Sequence, residues 1–147
     1  MKKILITIIL ILLLTACGGT MNTEIPKSYI SKTEYYDKEG IQDHTDYAKY
    51  VYDKVIVEND DNYTKVSKDD IENIKSYFNN FKDVMESLER LNEYDFDVNS
   101  ITENDYVRIV TKEGTPIGDS TYGKFDNYSI FLFDSETLTL YYIHNNI

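Results

Sequence analysis

The sequence predicts an α+β fold: one long amphipathic helix, plus a second short helix, packed on a small antiparallel β-meander. Three observations carry this expectation. Ile71, Ile74, Phe78, Phe81, Met85 and Leu88 recur three and four residues apart, which places them on one stripe of a helix. YVRIVT (106–111), YSIFLF (128–133) and TLTLYYIH (137–144) are dense in β-branched and aromatic residues, as strands are. Asp134-Ser135-Glu136 separates the last two runs by a turn, which reads as a hairpin.

The chain opens with Lys2 and Lys3, then an apolar run from Ile4 to Leu14 broken only by Thr7. That run is short of the roughly 20 apolar residues a spanning helix needs. With its basic flank it has the make-up of a signal peptide. Leu14-Thr15-Ala16-Cys17 then resembles the lipobox of bacterial lipoproteins, a branched residue and two small ones before cysteine. The resemblance implies that Cys17, the only cysteine, receives a diacylglycerol (a palmitate-class lipid modification) and becomes the first residue after cleavage. An acylated sulfur is closed to redox, metal and nucleophilic chemistry. Residues 1–16 are therefore read as a leader, 17–33 as the lipidated cysteine and a flexible tether, and 34–147 as one domain. Pro26 and the lack of any apolar period support the tether.

Within the domain, Glu34 to Tyr36 suits a short edge strand and Gly40 a turn. HTDYAKYVYDKVIV (44–57) admits two readings. Tyr47, Val51 and Val55 stand four apart with Tyr50 on the same helical face, which favours a short helix; the β-branched and aromatic density favours a strand. The reading adopted is a short helix up to about Asp53 followed by an extended stretch. Glu58 to Asn62 is a loop by composition. The long helix follows, with Ser67 as its cap and Asp70 three residues on, while Asp69, Asp70 and Glu72 lie at the positive end of its dipole.

Cleavage at Cys17 would leave 13 basic against 26 acidic side chains, a net charge of −13. Such a surface lacks the Lys/Arg patches that phosphate backbones require, and it disfavours flat adsorption on anionic lipid. Fourteen tyrosines and no tryptophan point to a core and sheet packed with amphipathic rings.

Two stretches have the make-up of sites. DFDVNSITEND (95–105) puts Asp95, Asp97 and Asn99 at the first, third and fifth places of a calcium loop. Ser100 then stands where glycine is needed and Tyr106 where the bidentate glutamate is needed, so the pattern fails as a helix–loop–helix site. A looser cation site on these carboxylates is left open. KEGTPIGDSTYGKFDN (112–127) is long for a loop, and long loops carry function more often than short turns. Asp119, Ser120, Tyr122 and Lys124 are its candidate binding residues. Ser120 beside Lys124 would be a nucleophile and base only with suitable geometry. The histidines, His44 and His144, belong to no metal or catalytic motif. The sequence implies no metal and no cofactor.

GIQDHTDYAKYVYD, VSKDDIENIKSYFNNF, EYDFD, DYVRIVTKEGTPIGDSTYGKFDNY and FLFDSETLTLYYIHNN, together spanning about Tyr35 to the C-terminus, resemble a family of small uncharacterised lipoproteins of low-GC Gram-positive bacteria. The resemblance implies a shared tethered domain and brings no activity with it. The expected function is thus a binding or interaction module, lipid-anchored on the extracytoplasmic face of the cell membrane, with an envelope protein or glycan as partner. The competing reading is a hydrolase or transferase acting on envelope material, with Ser120 or His144 as the reactive group near the 112–127 loop.

Overall fold

The structure is a computed structural model that describes residues 25–37, 44–111, 116–117, 120–121 and 123–146. Six strands form one antiparallel sheet: β1 (Ser31–Asp37), β2 (His44–Val51), β3 (Thr64–Lys65), β4 (Tyr106–Thr111), β7 (Asn127–Asp134) and β8 (Thr139–Asn146). Their order is β1-β2-β8-β7-β4-β3. Two-residue strands β5 (Pro116–Ile117) and β6 (Ser120–Thr121) pair separately. Helix α1 (Ile71–Ser87) is the only α-helix among the described residues, followed by 3-10 turns at Leu91–Glu93 and Val98–Ser100.

This corrects the expected architecture. The sheet is not a small meander under two helices but a six-stranded platform with one helix upon it, and residues 44–51 are strand β2. Two faces compete for this stretch, and the sheet takes both. Tyr47 is buried on the α1 side, whereas Ala48 and Tyr50 are buried on the other. A helix would have turned Tyr47 and Tyr50 to the same side. In a strand flanked by β1 and β8, both faces are covered and every apolar residue finds a partner.

The hairpin and β4 occur where sequence pattern places them. In β7, Tyr128, Ile130 and Leu132 face α1, while Phe131 and Phe133 face away. Helix α1 lays Ile74, Phe78, Phe81 and Met85, all fully buried, on the first face. Burial of each contributes about 1.5–3 kcal/mol. Its entry is fixed by Asp70, whose carboxylate accepts from the Ser67 hydroxyl (2.5 Å) and the Ser67 N–H (3.3 Å). Its exit uses Glu89 at φ 59°, with Arg90 N–H reaching the Met85 carbonyl at 2.8 Å. A left-handed residue after the last turn is usually glycine, because it has no Cβ to clash.

The second face is covered by chain rather than by helix. Tyr52, Val57 and Tyr63 from the segment after β2 are buried on it. Ile25 joins them, and the Tyr52 hydroxyl donates to the Pro26 carbonyl at 2.9 Å. Residues from Ile25 onward, within the segment read as tether, thus lie on the sheet. Most of the tyrosines named here are buried with their rings, as the composition suggests; the tilted pair Tyr47–Tyr94 (5.2 Å) joins β2 to the segment after α1, and Phe131–Tyr142 (4.8 Å) packs across β7 and β8.

Candidate functional site

Of the four binding residues expected in the 112–127 segment, Asp119 and Tyr122 lie outside the described residues, as does the side chain of Ser120. Lys124 is described, and it is engaged by the fold. Its ammonium donates to Asn73 Oδ1 and Ser76 Oγ, both at 2.9 Å, on the outer turns of α1. It also sits 4.9 and 5.0 Å from the ring centres of Tyr77 and Phe125. Lys124 therefore clasps the segment to the helix through hydrogen bonds and cation–π attraction. Cys17 and the leader also lie outside the described residues.

The carboxylates of 95–105 are taken up by the protein. Asp95 accepts from the Tyr47 hydroxyl and the Lys49 ammonium. Partial burial works against its charged form, but those two donors hold its carboxyl below the usual range. Burial and the adjacent Asp95 carboxylate push the Tyr47 hydroxyl well up. Asp97 caps a 3-10 turn through Asn99 N–H at 2.9 Å. Buried Asp105 accepts from Thr102 N–H (2.7 Å) and Ser135 N–H (3.0 Å), joining two turns. Tyr94 and Phe96 point inward between the acids.

His144 acquires a setting that the sequence does not reveal. Register places Asp46 of β2 and Ser129 of β7 directly opposite it, one on each side. Asp46 is buried, and His144 Nδ1 lies 2.9 Å from Ser129 Oγ. This resembles a Ser-His-Asp row, yet Nδ1 also lies 2.9 Å from the Tyr128 carbonyl oxygen. A carbonyl only accepts, so Nδ1 carries the proton. A protonated Nδ1 cannot take the proton of Ser129, and the pair is not a nucleophile with its base. His44 shares this face, being two residues before Asp46. Among the described residues no three His, Asp or Glu side chains converge to hold a metal ion.

A different region has the form of a recognition site. Strand β3 pairs only Thr64 with Val107 and Lys65 with Tyr106. Among the described residues, Arg108 to Thr111 then pair with β7 alone. Among the described residues no strand pairs with Ile109 to Thr111 on the side away from β7, and Ile109 and Val110 are 37% and 43% exposed, on opposite faces. A groove of about 290 Å³ runs beside them, lined by Asn62, Thr64, Asp70, Val107, Arg108 and Ile109. The reason is local: buried Tyr63 anchors the chain on the second face just before β3, so β3 cannot extend. An open strand edge presents a row of N–H and C=O groups that another extended chain can satisfy. Sequence reasoning marks β4 as a strand but cannot say how short its neighbour is.

The chain matches no known protein family, no curated protein and no solved structure.

Proposed function

We propose that this chain is a lipid-anchored interaction module of the cell envelope, tethered through Cys17 on the extracytoplasmic face, and that it recognises a partner by strand addition to β4. The anchor rests on the lipobox-like LTAC. The binding reading rests on one observation, the brevity of β3, which among the described residues pairs only with Tyr106 and Val107 and leaves Ile109 and Val110 exposed beside a groove. Peptide recognition by strand addition takes affinity from main-chain hydrogen bonds and specificity from side-chain subsites along the groove. The segment 112–127, with Asp119, Ser120 and Tyr122, leaves directly from this edge in sequence and belongs to the same proposal. The geometry at His144 gives no comparable support to a hydrolase.

The test is position-specific crosslinking in living cells. A photoreactive amino acid at position 110 is expected to give a discrete adduct with one envelope protein, and the same group at position 34 on β1 none. Equal adducts at both positions, or none at 110, would remove the support for β4. Mass spectrometry of the same purified protein checks the anchor: a diacylglyceryl group on an N-terminal Cys17 is expected, and an intact leader contradicts it.

A further inference from the structure

Resting on the Cys17 anchor of that reading, we infer that Lys27, Tyr29, Ile30 and Lys32 seat the domain on an anionic lipid surface and so fix its orientation. The tether is short. A chain anchored at Cys17 reaches the buried side chain of Ile25 eight residues on. Eight residues fully extended span at most about 29 Å, and a flexible chain of that length averages about 16 Å. Ile25 is held on the second face, where the Tyr52 hydroxyl donates to the Pro26 carbonyl at 2.9 Å. The residues that follow Ile25 are thus kept close to the bilayer.

Their make-up suits that place. Ile30 is 68% exposed, more than any other large apolar side chain among the described residues. Its backbone is fixed, since Ile30 N–H donates to the Val51 carbonyl at 2.7 Å beside the start of β1. Half-buried Tyr29 packs its ring 5.2 Å from that of Tyr50, and the Lys32 ammonium lies 5.9 Å from the Tyr29 ring centre. An exposed aliphatic side chain with a tyrosine and lysines about it matches a membrane interface, where rings sit at headgroup level and lysine stems lie along apolar surface. Charge agrees with this. Residues 25–33 hold two lysines and no acid. With the next charges along β1 and after β2, Glu34, Asp53 and Lys54, one positive charge is left, in a chain that carries −13 from Cys17 onward. Asp61, Asp69, Glu72, Asp83 and Glu86 are exposed elsewhere, and an anionic surface repels them. One isoleucine and two lysines are too few to hold a membrane unaided. The anchor supplies the affinity, and the high effective concentration it creates lets a weak contact choose the orientation. The contact is made by side chains, so it gives the outward amides of β1 no new hydrogen-bond partner.

The test places the full lipidated chain in nanodiscs of phosphatidylcholine, alone or mixed with phosphatidylglycerol, with a gadolinium chelate on a fraction of the headgroups. NMR relaxation then reads which amides lie near the lipid. In the mixed discs the amides of Lys27 to Lys32 are expected to relax faster than those of α1, and in phosphatidylcholine alone that difference is expected to shrink. Lys27→Gln is expected to lower the ratio of seated to free domain about fivefold, and Ile30→Ser to lower it as well. Both positions are exposed, so the remaining spectrum stays in place. Equal relaxation across the domain, an enhancement centred on another face, or one that ignores lipid charge and both variants overturns the inference. So does a dimer, measured by sedimentation, that Ile30→Ser dissolves, since a second copy would then occupy this patch. Mass spectrometry of the same sample reads the anchor separately: an acylated Cys17 without the enhancement sinks the seating alone, and an unacylated Cys17 removes both.

Discussion

The two ends of the sheet are built to opposite rules. β1 is seven residues long and carries Lys32, Glu34 and Asp37 along its edge. Lys32 pairs with Glu34 at 2.6 Å, and Asp37 accepts from the Tyr35 hydroxyl at 3.0 Å. Inserting another strand there would strip water from charges, which is how proteins protect a sheet edge. At the other end β3 pairs with only two residues of β4, and beyond Arg108 the next two, Ile109 and Val110, are exposed and apolar. Among the described residues one edge carries charged side chains along its length; the other has a neighbour only two residues long. The difference shows that an edge's reactivity is decided residue by residue, not by its length.

The comparison presumes that both edges belong to one cooperative unit, and the largest effect tests that. Phe78 is fully buried, with its ring 4.3 Å from Phe96, and its carbonyl accepts from the Tyr94 hydroxyl. Phe78→Ala is expected to cost about 3–5 kcal/mol. Urea unfolding followed by both circular dichroism and tyrosine fluorescence should lose both edges in one transition. Separate transitions for β1 and β4 would break the comparison.

Next in size is the removal of the guard on β1. The double change Lys32→Val with Glu34→Val leaves Asp37 as the one charge of β1, as Arg108 is the one charge of β4. Stronger self-association by sedimentation than in the parent is expected in the variant. A variant that stays monomeric would show that charge is not what closes β1.

A smaller change works as a control. Glu89 holds a left-handed conformation that costs a residue with a Cβ roughly 1 kcal/mol relative to glycine. Glu89→Gly is expected to raise stability by about 0.5–1 kcal/mol, read as a higher urea midpoint with unchanged slope. Partner capture at position 110 should not move, since stability alone leaves the β4 edge as it is.

The smallest effect is in acid. The folded-state pKa of Asp95 is lowered, so its contribution is present above the ordinary carboxylate range and is lost as pH falls through the folded value. The window lies below about pH 4. The side chain is more than half exposed, and solvent screens the pair with Lys49. Asp95→Asn is therefore expected to give a slightly shallower acid limb in thermal unfolding between neutral pH and pH 2. An acid limb identical to the parent's would mean that Asp95 does not bind β2 to the 94–96 segment through charge.

How far the fold could be read from sequence follows from which forces are local. The stripe from Ile74 to Met85 and the alternation through Leu140 and Tyr142 are local patterns, and they fall on α1 and β8. β2 misled because Tyr47, Val51 and Val55 stand four apart, a spacing equally visible in a helix. What decides the matter is the pairing of β2 with β8, across almost a hundred residues of chain. That pairing sets Asp46 against His144, and the β7–β8 hairpin adds Ser129, so no single local motif could have exposed the row. The brevity of β3 beside β4 was illegible for a third reason. It exists only because Tyr63 is drawn to the second face and stops β3 at Thr64, a competition between two burial sites.

Hydrogen exchange measures the central claim most directly. Membranes of cells that express the protein, and the same protein purified alone, are exchanged side by side. The account predicts that the outward amides among Arg108 to Thr111 exchange more slowly in the membranes, with those of Ser31 to Asp37 unchanged. Equal exchange of β4 in both preparations, or new protection along β1 instead, would contradict it.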